Sequence, residues 1–126
     1  MSKVLVVEDN PTNMTLVKFL LEQAGHSVLS ATDAEAGLTL ARSEQPDLIL
    51  MDIQLSGMDG LQATVILKQA PETRAIPVIA LTAQAMKGDE ERIRAAGCDG
   101  YIAKPMDYHK LLALVAAHLA QTPCRS

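Results

Sequence analysis

This sequence has no long apolar run, no basic run and only two cysteines, and each absence argues against a class of protein. No stretch approaches the roughly 20 apolar residues that span a bilayer, and the N-terminus lacks the pattern of a signal peptide. Its 11 basic residues against 15 acidic ones give a net charge of −4, which argues against nucleic-acid or membrane binding. Cys98 and Cys124 fit neither a metal-ligand spacing nor a disulfide framework. We therefore expect a cytoplasmic protein with reduced thiols.

What remains is the composition of an ordinary globular domain. The 126 residues are 48% hydrophobic and 21% charged, which is enough to close one core without disulfides or metals. We expect one domain over residues 1–122, followed by a short C-terminal tail over residues 123–126.

Short apolar segments alternate five times with amphipathic ones. We predict strands at Lys3–Val7, Ser27–Ala31, Asp47–Asp52, Pro77–Thr82 and Gly100–Lys104. The first helix is predicted to begin at Asn10-Pro11 and to end with Gly25 as its C′ residue. The others are predicted from an N-cap at Thr32 to Glu44, and at Leu61–Gln69, Asp89–Ala96 and Asp107–Ala120, with Ala83–Gly88 as a loop. This alternation predicts an α/β fold with a doubly wound, five-stranded parallel sheet in three layers, for which the flavodoxin-like strand order is 2-1-3-4-5.

Charged or polar residues stand at the C-terminal ends of four predicted strands. Glu8 and Asp9 follow the first strand, Asp52 ends the third, Thr82 the fourth and Lys104 the fifth. Each alone is equally typical of a cap, a strand or a solvated edge, but in a parallel sheet all of these ends share one edge. Three carboxylates there repel one another, and Mg²⁺ would relieve the repulsion. The set suits phosphoryl transfer to an aspartate.

With these motifs the chain resembles the receiver domains of two-component response regulators over residues 3 to 120. The matching motifs are Val-Val-Glu8-Asp9-Asn, Leu-Met-Asp52-Ile-Gln-Leu, Gly57-Met58-Asp59-Gly60, Leu81-Thr82-Ala83 and Lys104-Pro105. The run from Ala85 to Arg94 is similar to single-domain cell-division regulators of this family. The resemblance implies a bacterial protein. It also implies a signalling domain that accepts a phosphoryl group, and not an ordinary enzyme.

The resemblance implies a metal site built on the carboxylates. Asp52 would accept the phosphoryl group and also bind Mg²⁺, for which Mn²⁺ would substitute. Asp9 would bind the ion directly, Glu8 would act through metal-bound water, and the backbone carbonyl of Gln54 would be a further ligand.

The resemblance also implies a switch. Thr82 would bond a phosphoryl oxygen and Lys104 would pair with another, its backbone set by a cis bond to Pro105. Tyr101 matches the aromatic residue that turns inward when Thr82 moves, although its spacing is equally typical of a residue that partly fills the core. Gln54 and Gln84 are not acids that would activate water, so we expect slow to intermediate dephosphorylation.

The implied function is that of a single-domain response regulator. Its phosphoryl donor would be a sensor histidine kinase or a histidine phosphotransfer protein. Its output would be a contact with a downstream protein on the surface of helix 4, strand 5 and helix 5. We expect no nucleic-acid or membrane partner, and a monomer, with dimerisation on phosphorylation left open.

Four alternatives are considered at the level of sequence. The chain could instead be a phosphorelay intermediate or the receiver piece of a larger hybrid kinase. A phosphohydrolase of the haloacid-dehalogenase type also uses an aspartate and Mg²⁺, but it requires Asp-x-Asp where this chain has Gln54. An FMN binder would need a phosphate-binding loop after the first strand, where Glu8 and Asp9 would repel phosphate.

Overall fold

A computed structural model describes residues 3–53, 60–82, 87–103 and 108–121 of the chain. Within these ranges strands and helices alternate, as predicted. The strands are β1 (Lys3–Val7), β2 (Ser27–Ala31), β3 (Leu48–Asp52), β4 (Val78–Thr82) and β5 (Gly100–Ala103). The helices are α1 (Pro11–Gln23), α2 (Ala34–Glu44), α3 (Gly60–Gln69), α4 (Lys87–Ala95) and α5 (Tyr108–Gln121).

The strands form one parallel sheet in the order β2-β1-β3-β4-β5. This order confirms the predicted flavodoxin-like fold. The central strand β3 is buried along its whole length, which explains why its sequence is apolar without alternation. The register sets Val7 beside Met51, and Asp52 beside Leu81. The first residue after β1 is therefore level with the last residue of β3.

Two apolar clusters cover the two faces of the sheet. Because side chains alternate along a strand, Leu5 and Val7 enter one cluster while Val4 and Val6 enter the other. The first cluster includes residues of α2, α3 and α4, and the second includes residues of α1 and α5. The fold therefore has three layers, as predicted.

Helix α1 begins and ends as the sequence predicts. The side-chain oxygen of Asn10 accepts hydrogen bonds from the backbone N–H groups of Thr12 at 2.9 Å and Asn13 at 3.2 Å, and Pro11 occupies the first turn. Gly25 follows the C-cap with a φ of 92°, a conformation that favours glycine. The N-cap thus starts the helix immediately after the acidic pair at the end of β1.

The predicted cap of α2 was wrong by one residue. The N-cap is Asp33 and not Thr32: the Asp33 carboxylate accepts the N–H of Ala36 at 2.8 Å. Glu35 consequently falls at the second helical position and does not close a capping box. Its charge still lies in the first turn, where it interacts favourably with the helix dipole.

The start of α4 also differs from the prediction. The helix begins at Lys87, so Gly88 lies within its first turn and not in a loop. One glycine costs a helix only about 1 kcal/mol relative to alanine, and the first turn has free N–H groups in any case. The other element bounds differ from the predictions by one residue at most. The rest of that predicted loop, residues 83–86, lies outside the described residues, as do Gln54, Lys104, Pro105 and the predicted tail.

Candidate functional site

The end of β1 places two carboxylates at the C-terminal edge of the sheet. The N–H of Glu8 donates to the carbonyl oxygen of Ala31 at 3.0 Å, which extends the pairing of β1 and β2 by one residue. The Glu8 side chain is 1% exposed, and its carboxylate accepts the N–H of Asn10 at 3.3 Å. Asp9 is exposed. One carboxylate is therefore held within the protein while the other faces solvent.

Asp52 is the last residue of β3 and is 2% exposed. The backbone after it is held on one side by β4, because the N–H of Ile53 donates to the carbonyl oxygen of Leu81 at 3.1 Å. This backbone pairing fixes the end of β3 at the edge of the sheet where Glu8 and Asp9 lie.

Glu8, Asp9 and Asp52 form one acidic cluster. Each offers a carboxylate oxygen, and the three oxygens lie within 4.8 Å of one another. In the part of the chain that the structure describes, no other group of three metal-ligating side chains comes together. The sequence predicted this convergence from the strand ends alone.

The cluster fits a hard divalent cation. Mg²⁺ binds oxygen ligands at 2.0–2.1 Å in an octahedron, so neighbouring ligand oxygens are about 3 Å apart and opposite ones about 4 Å. The separation of the three carboxylate oxygens is compatible with these values. All three donors are carboxylates, which suit Mg²⁺ better than the softer transition metals.

Gly60 is a site residue whose role the sequence analysis missed. A Cβ on Gly60 would overlap the carbonyl oxygen of Asp52 and would lie 2.7 Å from the Cα of Ile53. The N–H of Gly60 donates to the carbonyl oxygen of Ile53 at 3.4 Å. The first turn of α3 therefore lies directly on the backbone that carries Asp52. The Gly57-Met58-Asp59-Gly60 motif signalled this position, but only the fold shows what the glycine touches.

Thr82 and Tyr101 lie on the neighbouring strands. Thr82 ends β4, one residue beyond the Leu81 that pairs with Asp52, and it is in register with Ala103. Tyr101 is half-buried and packs against the cluster that includes α2, α3 and α4. Their backbone positions agree with the predicted switch, and their roles stay predictions.

Comparison with known proteins assigns the family. The model of the response regulator receiver domain matches residues 4–116. The chain belongs to this family. It is 48% identical over 116 residues to the polar-differentiation response regulator DivK of Brucella anthropi, and the match covers 92% of this chain and 94% of that protein.

Solved receiver structures are similar over nearly the whole chain. The receiver domain of a Pseudomonas aeruginosa sensor histidine kinase, with a magnesium ion in its active-site cleft, has a TM-score of 0.89 and 34% identity, covering 95% of this chain and 98% of that one. The chemotaxis protein CheY4 of Vibrio cholerae has a TM-score of 0.88 and 26% identity, covering 93% and 98%. The chain is thus a receiver domain of two-component signalling.

Proposed function

We propose that this receiver accepts a phosphoryl group on Asp52 and passes the signal on through a protein contact. The acidic cluster carries this proposal, because it sets the buried Asp52 carboxylate beside two further carboxylates at one edge of the sheet. The arrangement suits a nucleophilic carboxylate that attacks phosphorus beside a divalent cation. The proposed donor is the phosphohistidine of a sensor kinase or a histidine phosphotransfer protein.

In the proposed reaction an oxygen of Asp52 forms a bond to phosphorus as the phosphorus–nitrogen bond of the donor histidine breaks. The imidazole nitrogen keeps the bonding electron pair and takes a proton from solvent. The product is an acyl phosphate on Asp52 and a neutral histidine. The burial of Asp52 excludes competing solvent from one side of the carboxylate and holds it in a single orientation.

We propose Asp9 and Asp52 as direct ligands of Mg²⁺, with Glu8 acting through water and Gln54 offering its backbone carbonyl. The ion would neutralise charge on the transferring phosphoryl oxygens. Mn²⁺ is proposed as a substitute, since it too prefers carboxylate and carbonyl oxygens. The hydrogen bond from Asn10 to Glu8 holds the Glu8 carboxylate next to the N-terminus of α1.

The proposed switch uses β4 and β5. A phosphoryl group adds about −1.5 to −2 charge at Asp52, and Thr82 and Lys104 are proposed to move toward it. Thr82 ends the strand that pairs directly with β3, which supports its part in the switch. Tyr101 would then change its packing, and the surface of α4, β5 and α5 would present a new face to a downstream protein. The cis bond before Pro105 stays a prediction.

A phosphorelay role is a second candidate within the same chemistry. It is favoured by the similarity to the receiver domain of a sensor histidine kinase at 34% identity. In that role Asp52 would pass its phosphoryl group on to a second histidine. The domain limits of 1–122, the monomeric state and the cytoplasmic location also stay predictions. Among the described residues no helix is long and apolar enough to cross a membrane.

The first test is the intact mass of the protein after incubation with acetyl phosphate and Mg²⁺. We expect one phosphate adduct on the wild type, and none without Mg²⁺ or in Asp52→Asn. The matched control is Asp33→Asn, since Asp33 is a helix cap and its variant should be phosphorylated normally. No adduct on the wild type under any condition would contradict the proposal.

A further inference from the structure

The opposite edge of the sheet holds a second polar cluster, centred on Lys68 near the end of α3. Its ammonium group donates to the Asp99 carboxylate at 3.0 Å, to the carbonyl oxygen of Ile76 at 2.8 Å and to that of Arg74 at 3.3 Å. The three hydrogens of the ammonium therefore have three acceptors. The Lys68 side chain is 20% exposed, so this is a partly desolvated cation held by two loops.

Asp99 joins the beginning of β4 to the turn before β5. Its carboxylate accepts the N–H of Val78 at 2.8 Å, and its own N–H donates to the carbonyl oxygen of Val78 at 2.8 Å. A bond that involves a carboxylate is stronger than one between neutral groups. Lys68 binds the same carboxylate oxygen, so α3, β4 and the turn meet at one atom.

The turn after α4 also packs on the Lys68 side chain. Gly97 has a φ of 105°, and a Cβ on it would lie 2.7 Å from the Cγ of Lys68. The next residue, Cys98, is buried, and its Sγ lies 3.9 Å from the hydroxyl of Thr64 on α3. Burial raises the pKa of the Cys98 thiol, so this contact is made by the neutral form. The turn that follows α4 therefore contacts α3 at two successive residues.

A similar aspartate lies at the start of β3. Asp47 accepts the N–H of Lys3 at 2.8 Å and donates its own N–H to the carbonyl oxygen of Lys3 at 2.8 Å. There the Lys3 ammonium lies 3.5 Å from the Glu44 carboxylate, and the two side chains are 39% and 44% exposed. The two aspartates thus use the same backbone pattern, but only Asp99 binds a lysine that reaches from another helix into two loops.

We propose that the junction of Lys68 and Asp99 is the fixed pivot of α4. The C-terminal end of α4 and the start of β5 stay attached to α3 and β4, while a rearrangement that starts at Thr82 is confined to the N-terminal turns of α4. The proposal rests on the proposed function, because phosphorylation of Asp52 starts the rearrangement. The two ends of β4 are about 13 Å apart at roughly 3.3 Å per residue, so the pivot lies away from the phosphate.

Amide hydrogen exchange measured by mass spectrometry tests the pivot on the full chain. Lys68→Met keeps the apolar stem and removes the three hydrogen bonds. Without phosphorylation, we expect exchange over residues 91–99 to rise about tenfold in this variant. The control is Lys18→Met, which removes an exposed lysine of α1 and should leave the exchange of that segment unchanged.

Phosphorylation with acetyl phosphate and Mg²⁺ gives the second arm. In the wild type, exchange should change over the first turns of α4 and stop before residue 97. In Lys68→Met the change should continue into residues 97–103, with the phosphate adduct formed as in the wild type. A wild-type change that already includes residues 97–99 would overturn the pivot, as would identical exchange in Lys68→Met and the wild type.

If Lys68→Met fails to fold, Asp99→Asn provides the same comparison, since it removes the charge that Lys68 binds and keeps the side-chain volume. Unchanged exchange over residues 91–99 in that variant would equally overturn the pivot. Absence of a phosphate adduct in every protein would contradict the proposed function instead, and the unphosphorylated arm would still decide the pivot.

Discussion

Among single residues, Asp52 owes its position to backbone contacts on both sides of the strand end. The N–H of Ile53 binds the carbonyl oxygen of Leu81, and the carbonyl oxygen of Ile53 accepts the N–H of Gly60. Gly60 has no room for a side chain, because the Asp52 carbonyl lies where its Cβ would be. The position of the proposed phospho-acceptor is therefore set by a residue eight positions later in the sequence, and not by its own side-chain contacts alone.

Gly60→Ala should lower both stability and phosphorylation. The added methyl group meets backbone atoms of Asp52 and Ile53 that cannot rotate away, so we expect a loss of about 1–3 kcal/mol in the free energy of unfolding. We also expect phosphorylation by acetyl phosphate to slow about tenfold or more, because the nucleophile is displaced. Urea unfolding and the time course of the phosphate adduct measure the two effects.

Gly25→Ala is the control for this prediction. Gly25 has a φ of 92° and nothing within 4 Å of an added Cβ, so alanine there strains the backbone far from the acidic cluster. It should lower stability while phosphorylation keeps its wild-type rate. Equal slowing in both variants would mean that Gly60 acts through general stability and not through Asp52.

At the scale of elements, α1 has two different faces. Val17 and Leu21 are fully buried under the sheet, as the helical spacing predicted. Leu16 and Phe19 belong to a second, outward stripe, and Phe19 is 56% exposed. Pro11 lies on the same surface of α1 as Leu16 and Phe19, and it is two residues after Asp9 in the sequence. An apolar surface at this place suits a partner that delivers a phosphoryl group to Asp52.

Phe19→Ala should weaken phosphorylation by a protein donor and leave phosphorylation by acetyl phosphate unchanged. Because Phe19 is mostly exposed, stability should change by less than about 0.5 kcal/mol. Loss of this exposed aromatic side chain should raise the apparent Kd for a histidine kinase about tenfold. Phosphate transfer from a labelled kinase, measured across receiver concentrations, gives that constant.

The matched control is Val65→Ala, which trims a second large apolar residue within the described ranges, 38% exposed on α3. It should leave transfer from the kinase intact. A similar loss in both variants, or a loss of acetyl phosphate reactivity in Phe19→Ala, would count against α1 as the donor-binding face.

For the whole molecule, the fold brings together three carboxylates that are far apart in sequence. Glu8 and Asp9 follow β1, and Asp52 ends β3, yet their oxygens lie within 4.8 Å because the two strands are neighbours. Two of these residues, Glu8 and Asp52, are nearly inaccessible to solvent, and like charges held this close repel one another.

Mg²⁺ should stabilise the whole protein by binding this cluster. At a concentration 100 times its Kd, an ion that binds only the folded state adds about 2.7 kcal/mol to the free energy of unfolding. Asp9→Asn removes one exposed ligand without disturbing the core and should abolish most of that increment. Thermal unfolding with MgCl₂, against NaCl at equal ionic strength, measures the difference. An equal Mg²⁺ increment in the wild type and Asp9→Asn would contradict the proposed site.

Local patterns of residues were enough to predict the fold class, and the fold class was enough to predict the carboxylate cluster. Unbroken apolar runs indicate strands covered on both faces, and the carboxyl ends of parallel strands must share an edge. This reasoning placed Glu8, Asp9 and Asp52 together. It failed at the cap of α2, where Thr32 and Asp33 offer nearly equal local signals. It also failed at the start of α4, where Gly88 was predicted to lie in a loop but falls in the first helical turn.

Only the tertiary structure decided what lies around the cluster and at the opposite edge. The contact of Gly60 with Asp52 depends on how α3 turns back onto β3, and the junction of Lys68 with Asp99 joins residues 31 positions apart. Neither pair has a spacing that a helix or a strand would reveal. A glycine and a lysine near the ends of a helix have many local explanations, and only the packing of α3 against its neighbours shows which atoms they meet.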